Sequence, residues 1–145
     1  MSVKETQDKI VATMEKWQKI ENASVASTGR VIAKTGNPLV RLVMEIIQAD
    51  SQMHYRVQQM VSDAAGTGTV SISPDELLEV WDMIENHIKI EKQTIELAEE
   101  LLEAVKGKNM VVAEYLLHYL RLDEQKHEEL LADLEGVKKG MYPYG

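Results

Sequence analysis

Acidic residues and histidines interrupt the apolar faces of this chain, and they are its residues with the clearest chemical potential. Apolar residues recur every three or four positions along four segments, the pattern of helices that each bury one face. The predicted buried faces include Ile10, Met14 and Trp17 in the first segment and Leu77, Trp81, Ile95, Ala98 and Val105 in the third. Near the centre of every segment a carboxylate or an imidazole takes the apolar position; these residues are Glu21, Asp50, His54, Glu91, Asp123, Glu124 and His127. An unpaired charge on a buried face is costly. Since all four segments carry one at the same depth, the pattern predicts a shared metal site.

The side chains of this set also limit which metal it would bind. Carboxylate oxygens and imidazole nitrogens suit iron, manganese or zinc. Glu124 and His127 are three residues apart, so both lie on one face of a helix. The chain contains no cysteine, which excludes disulfide scaffolds, zinc ribbons, iron–sulfur clusters and thiol catalysis.

The two halves of the chain carry the same pattern. Segments 19–21 and 89–91 both read Lys-Ile-Glu, and segments 50–54 and 123–127 both read Asp-x-Gln-x-His. The members of these pairs are separated by 70 and 73 residues, and they occur in the same order. This spacing indicates an internal duplication, in which each half of the chain supplies two helices.

Four helices are predicted to position these residues, at about residues 4–35, 38–64, 74–106 and 109–136. In the first link, Gly36 suits a left-handed helix end, Asn37 a helix cap and Pro38 the first position of the next helix. Gly136 predicts the end of the last helix.

The lengths of the links predict the topology. Short links at 36–37 and 107–108 make the helices of each pair antiparallel neighbours. The longer link at 65–73 would cross over along the bundle, although Val70-Ser71-Ile72 could instead form a short strand. The predicted fold is therefore all-α, an antiparallel four-helix bundle of two duplicated hairpins joined by a crossover loop. One domain would cover residues 1–136, and residues 137–145 would form a tail.

The pattern of acids and histidines resembles a known family. The ferritin-like superfamily has a dimetal-carboxylate pattern, with a glutamate on helices one and three and Glu-x-x-His on helices two and four. The acids and histidines of this chain resemble that pattern. The segment LRLDEQKHEELL resembles the corresponding helix of small rubrerythrin-like proteins without a rubredoxin domain. The resemblance implies that the metal ligands are Glu21, His54, Glu91, Glu124 and His127. It also implies that Asp50 and Asp123 accept the free N–H of a ligating imidazole.

One position departs from the family pattern. Where the second helix should supply a glutamate ligand, the chain has Ser51. Asp50 could take its place, although its direction differs from that of residue 51 by about 100° around the helix. His87, one turn before Glu91, could add a nitrogen ligand or could lie at the edge of the apolar face near solvent.

The resemblance leaves two functions open. The first is an oxidoreductase with two iron ions, or manganese or zinc, that acts on peroxide or oxygen. Since the chain has no cysteine-bound iron to deliver electrons, this function would require an external reductase or would be ferroxidase-like. It predicts that Glu21, Glu91 and Glu124 converge around two metals. The second is a non-catalytic module with one metal or none, which predicts protonated carboxyl groups or a water-filled pocket near Ser51.

Composition narrows the possible partners and location. The net charge of −8 argues against a nucleic-acid partner, and no stretch approaches the roughly 18 apolar residues of a membrane span. The N-terminal segment is dense in charge and does not resemble a signal peptide. We therefore expect a soluble cytoplasmic protein. A homodimer is expected rather than an iron-storage shell, because the chain lacks the extra short helix of shell-forming ferritins.

Overall fold

The computed structural model describes residues 1–68 and 74–141, and the regular structure within these ranges is α-helical. The four helices are α1 (Val3–Lys34), α2 (Pro38–Gly66), α3 (Pro74–Val105) and α4 (Val111–Met141). They confirm the all-α class that the apolar periodicity predicted. Within the described ranges, no helix is long and apolar enough to cross a membrane.

The helices pack in two pairs. One compact unit, Met1–Ser71, contains α1 and α2, which we call the N-terminal hairpin. The other unit, Ile72–Gly145, contains α3 and α4, which we call the C-terminal hairpin. Four long helices in two hairpins are consistent with the predicted four-helix bundle of duplicated halves.

Hydrogen bonds between partner helices show that each hairpin is antiparallel. In the N-terminal hairpin, Gln18 bonds to Tyr55, whereas Ser24, further along α1, bonds to Ser51, which comes earlier on α2. Contacts between α3 and α4 show the same reversal. This direction is the one that the short links predicted.

Local sequence explains where α1 and α2 begin. The Ser2 hydroxyl accepts the backbone N–H of Glu5, and the Glu5 carboxylate accepts the backbone N–H of Ser2, which together form a capping box. Pro38 is the first residue of α2, and the Asn37 side chain accepts hydrogen bonds from the N–H groups of the next two residues. The predicted start of α2 is therefore confirmed.

The ends of α1 and α4 differ from the prediction. Helix α1 ends at Lys34, and Gly36 is not in the left-handed conformation expected of it, because the chain already leaves the helix through an extended Thr35. Helix α4 continues through Gly136 to Met141, so the predicted stop is wrong. One glycine inside a helix costs only about 1 kcal/mol relative to alanine.

Contacts made by the last turns of α4 explain why the helix continues. The Lys138 ammonium lies 4.5 Å from the centre of the Trp81 ring on α3, a cation–π contact. Lys138 and Lys139 also place positive charge near the helix C-terminus, where the helix dipole favours it. These interactions offset the unfavourable glycine.

The two hairpins bury different kinds of residue. The buried apolar side chains lie on α3 and belong to the predicted apolar face; they are Leu77, Trp81, Ile95, Ala98 and Val105. The most buried described side chains of the N-terminal hairpin are polar: Gln18, Glu21, Thr28, Ser51 and Gln58. Trp17, predicted to be buried, is 49% exposed. Gln18 is buried instead, because its amide donates to the Tyr55 carbonyl and to Gln59.

Some predictions fall on residues that lie outside the described ranges. The middle of the predicted crossover link and the alternative strand at Val70-Ser71-Ile72 belong to residues 69–73, and the end of the predicted tail belongs to residues 142–145. The domain boundary after residue 136 stays a prediction.

Candidate metal centre

Three of the five predicted ligands come together in the middle of the C-terminal hairpin. Glu91 on α3, with Glu124 and His127 on α4, each offer one ligand atom, and these atoms lie within 4.8 Å of one another. The helix period places Glu124 and His127 on one face of α4, and the antiparallel packing brings that face to Glu91. Two carboxylates and one imidazole could therefore bind a single metal ion.

The imidazole of His127 has its two nitrogens in different surroundings. Nδ1 lies 3.3 Å from Oε1 of Glu91 and 3.6 Å from Oε2 of Glu124. Nε2 lies 3.4 Å from Oδ2 of Asp123, whose other oxygen is 2.8 Å from the Lys126 ammonium. One nitrogen of the ring thus faces the two glutamates and the other faces Asp123, whose role as an acceptor for a metal-bound imidazole stays a prediction.

The pKa values of the two neighbouring glutamates are shifted in opposite directions. A hydrogen bond with Glu124 is the main cause that lowers the pKa of Glu91, and His87 and His127 lower it further against the opposing effect of burial. The same hydrogen bond raises the pKa of Glu124, with burial and the charge of Glu91 acting in the same direction. Of the two carboxyl groups, Glu124 is therefore the one whose protonated form is favoured, and Glu91 the one whose ionised form is favoured.

Glu91 is the most enclosed group of this set. Only 6% of the residue is exposed, and its Oε1 accepts a hydrogen bond from Nε2 of His87 at 2.8 Å. Its Oε2 is buried and has no hydrogen-bond partner among the described residues. A buried carboxylate oxygen without a partner costs about 1–3 kcal/mol or more. Either the proton of Glu124 or a cation must compensate this negative charge.

Thr94 is a part of the centre that sequence reasoning missed. Its hydroxyl lies 3.0 Å from Oε2 of Glu124 and 2.8 Å from the backbone carbonyl of Glu91, so its single proton is divided between the two acceptors. The signal that could have revealed it is its position three residues after Glu91, on the same face of α3. The duplication adds a second signal, because Ser24 holds the same position after Glu21.

His87 contacts the centre without joining the group of three. Its imidazole donates to Glu91, and its side chain is 54% exposed. The residue therefore lies near solvent and also contacts Glu91, a predicted ligand. Its role as an additional ligand stays a prediction.

The N-terminal hairpin holds the other two predicted ligands in a hydrogen-bonded network. Glu21 is 6% exposed, and its Oε1 accepts a hydrogen bond from the Gln58 amide at 3.1 Å. Nδ1 of His54 lies 3.6 Å from the same oxygen, and the His54 side chain is 60% exposed. Asp50 is half-buried on α2, and its two predicted roles stay predictions. Glu21 belongs to a different compact unit from Glu91, so its convergence with the other glutamates also stays a prediction.

Ser51 is buried and already has a partner. The residue is 5% exposed, and its hydroxyl lies 2.8 Å from the hydroxyl of Ser24. A cavity of about 230 Å³ borders it, lined by Asn22, Val25, Gln52 and Tyr55. The water-filled pocket that the second function predicts near Ser51 stays a prediction, as does its alternative, protonated carboxyl groups.

Comparison with protein-family models, with curated proteins and with solved structures finds no match. The assignment of chemistry to this chain therefore depends on its own residues. These residues provide a buried carboxylate, a carboxyl group that can release a proton, and an oriented imidazole.

Proposed function

We propose that this protein binds a divalent metal ion through Glu91, Glu124 and His127. The observation that supports the proposal is the approach of their three ligand atoms to within 4.8 Å, around a carboxylate that is 94% buried. Three protein ligands leave coordination positions open for water or a substrate. The acceptor contact with Asp123 would fix the orientation of the His127 ring, as the partners of metal-bound histidines commonly do.

The metal is proposed to be iron, and the reaction an oxidoreduction of the rubrerythrin type with peroxide or oxygen as substrate. The proposal of iron is supported by the Glu-x-x-His motif of α4 and by its resemblance to the ferritin-like pattern. That resemblance implies two ions in each chain and a homodimer, with manganese or zinc as the other metals. A bound iron ion would supply the electrons and the open coordination position. An external reductase would restore those electrons.

The residues of the chain have separate roles in this proposal. Glu91 and Glu124 would hold the cation as carboxylates, and any proton on Glu124, whose pKa is raised, would leave to solvent because the cation compensates the buried negative charge. Thr94 holds Oε2 of Glu124 in place by a hydrogen bond. The half-exposed ring of His127 gives the centre access to solvent and to a small oxidant.

The test is the metal content of the chain after anaerobic purification from iron-supplied cells, with Glu124→Ala as the control. Two irons in each chain, lost in the control, would support the oxidoreductase and justify measurement of peroxide turnover. A metal content that is the same in both proteins would refute a centre at Glu124.

A second candidate is a non-catalytic metal-binding module with one ion. The hydrogen bond between Ser51 and Ser24 favours it, because this buried position carries a hydroxyl where the first function requires a carboxylate. One tightly bound ion in each chain, with no peroxide turnover in the presence of a reductant, would support this second function over the first.

A further inference from the structure

The duplication makes Glu21 and Glu91 equivalent, yet their negative charges are compensated differently. Each residue is 6% exposed. Oε1 of Glu91 lies 2.8 Å from Nε2 of His87 and 3.3 Å from Nδ1 of His127, and the Glu124 carboxyl group lies beside it. Glu21 accepts a hydrogen bond from a neutral amide, that of Gln58, and has one imidazole nearby. The two hairpins have thus kept the glutamate and changed its surroundings.

Gln58 is held against Glu21 although its own carbonyl group is left without a partner. The residue is 5% exposed, and its Oε1 is buried with no hydrogen-bond donor among the described residues. Its amide nitrogen lies 3.1 Å from Oε1 of Glu21, the same oxygen that is 3.6 Å from Nδ1 of His54. A metal ion that binds Glu21 and His54 through these two atoms must displace the amide.

The equivalent position in the C-terminal hairpin carries no such donor. The offset of 73 residues that relates His54 to His127 relates Gln58 to Leu131. The same offset relates Ser51 to Glu124, so the N-terminal hairpin has a hydroxyl where the C-terminal hairpin has a carboxylate, and an amide where the C-terminal hairpin has an aliphatic side chain. Both differences disfavour a cation, because one removes a ligand and the other satisfies the remaining carboxylate.

We propose that Gln58 takes the place of a metal ion beside Glu21, so that the N-terminal hairpin binds metal more weakly than the C-terminal hairpin. Gln58 is then a specificity-determining residue, and the chain takes up its ions in a fixed order. The ion at Glu91, Glu124 and His127 binds first. This inference rests on the proposed function in one respect, namely that the C-terminal hairpin binds a metal.

The first experiment compares Gln58→Leu with Gln59→Leu in titrations of the full chain with cobalt(II) alone, followed by absorption and by equilibrium dialysis. Gln59 is the matched control, because it is the next residue and bonds to Gln18 and Asp63 rather than to Glu21. A hydrogen bond to a charged group corresponds to about tenfold to about hundredfold in affinity. Gln58→Leu is expected to tighten the weaker ion by this factor, whereas Gln59→Leu should leave both ions unchanged.

The second experiment copies both C-terminal residue types into the N-terminal hairpin, as Ser51→Glu with Gln58→Leu. It should convert one tight ion in each chain into two. If the buried glutamate prevents folding, as circular dichroism would show, the single variants decide the matter. Two ions of equal affinity in the wild type, or no change in the weaker ion in Gln58→Leu, would overturn the inference.

The proposed function is tested separately by Glu124→Ala in the same titration. Loss of the tight ion in this variant supports the proposed function whatever Gln58 does. A wild-type chain without a tight ion would refute that function and the loading order with it, whereas the effect of Gln58→Leu on the weak ion would still show whether the amide competes with metal.

Discussion

Replacing Thr94 by valine would remove one hydroxyl from the candidate metal centre with almost no change in side-chain shape. The hydroxyl lies 3.0 Å from Oε2 of Glu124 and 2.8 Å from the Glu91 carbonyl. Its hydrogen bond is one of the contacts that lower the pKa of Glu124, against the larger effects that raise it. The variant should therefore hold the Glu124 proton more firmly and orient this carboxylate less well.

The size of the effect follows from the geometry. A hydrogen bond to a charged group contributes about 1.5–3 kcal/mol, which corresponds to about tenfold to about hundredfold in affinity. Since the Thr94 hydroxyl has one proton and two acceptors, the lower end applies, and metal affinity should fall about tenfold. Removal of a hydrogen-bond partner of a metal ligand commonly lowers metal affinity by about this factor. The free energy of unfolding should also fall, by about 0.5–1.5 kcal/mol, because the metal-free fold loses the same hydroxyl contacts.

The assay is a competition titration with zinc and a chromophoric chelator at fixed pH. Ser24→Ala is the matched control, since Ser24 occupies the equivalent position of the N-terminal hairpin and its hydroxyl contacts Ser51. Ser24→Ala should leave the tight ion unchanged. An affinity of Thr94→Val equal to that of the wild type would refute the argument that this hydroxyl positions Glu124, and a loss of equal size in both variants would attribute the effect to general loosening of the fold.

Three further predictions concern pH, the imidazole and the end of α4. The pKa of Glu124 is raised in the folded chain, so its proton stabilises the metal-free fold below the ordinary pKa of 4.5, and this contribution is lost as the pH rises through the folded pKa. Metal affinity should rise over the same pH window. In metal-free Glu124→Gln, the free energy of unfolding in urea should not fall as the pH rises through that window. Asp123→Asn should weaken metal binding by about tenfold, measured in the zinc titration, because the His127 ring loses a charged acceptor. Lys138→Ala should lower the free energy of unfolding by about 0.5–1 kcal/mol, since it removes the contact with Trp81, and hydrogen exchange should increase in the last turns of α4.

Features that depend on the helix period could be predicted from the sequence. The Glu-x-x-His spacing of Glu124 and His127 fixes their common face without knowledge of the fold. The short link between α3 and α4 then determines which part of α3 they meet, and Glu91 was the acid at that depth. The group of three was therefore accessible to reasoning from local structure and link length alone.

Features that depend on a contact between neutral polar groups could not be predicted. Gln58 and Thr94 are uncharged, so neither stands out in the sequence as a charged residue on an apolar face does. Each is important because it forms a hydrogen bond with a carboxylate. Trp17 and Gln18 show a related difficulty, because adjacent positions differ by only about 100° around a helix and hydrophobicity favoured the tryptophan. The amide of Gln18 instead finds two acceptors on α2, which makes its burial favourable.

A buried carboxylate requires a compensating charge or a hydrogen-bond donor. The two hairpins supply different groups for this purpose, and a cation would affect those groups differently. At Glu91 the neighbouring group is the Glu124 carboxyl, whose pKa is raised by its hydrogen bond with Glu91, and a cation bound by both groups can take the place of a proton there. At Glu21 the compensation is an amide that belongs to the fold, so its displacement leaves both ends of the Gln58 side chain without partners. The free energy of metal binding must include that loss in the N-terminal hairpin and not in the C-terminal one. The two hairpins can therefore have unequal metal affinities although both carry the glutamate and the histidine.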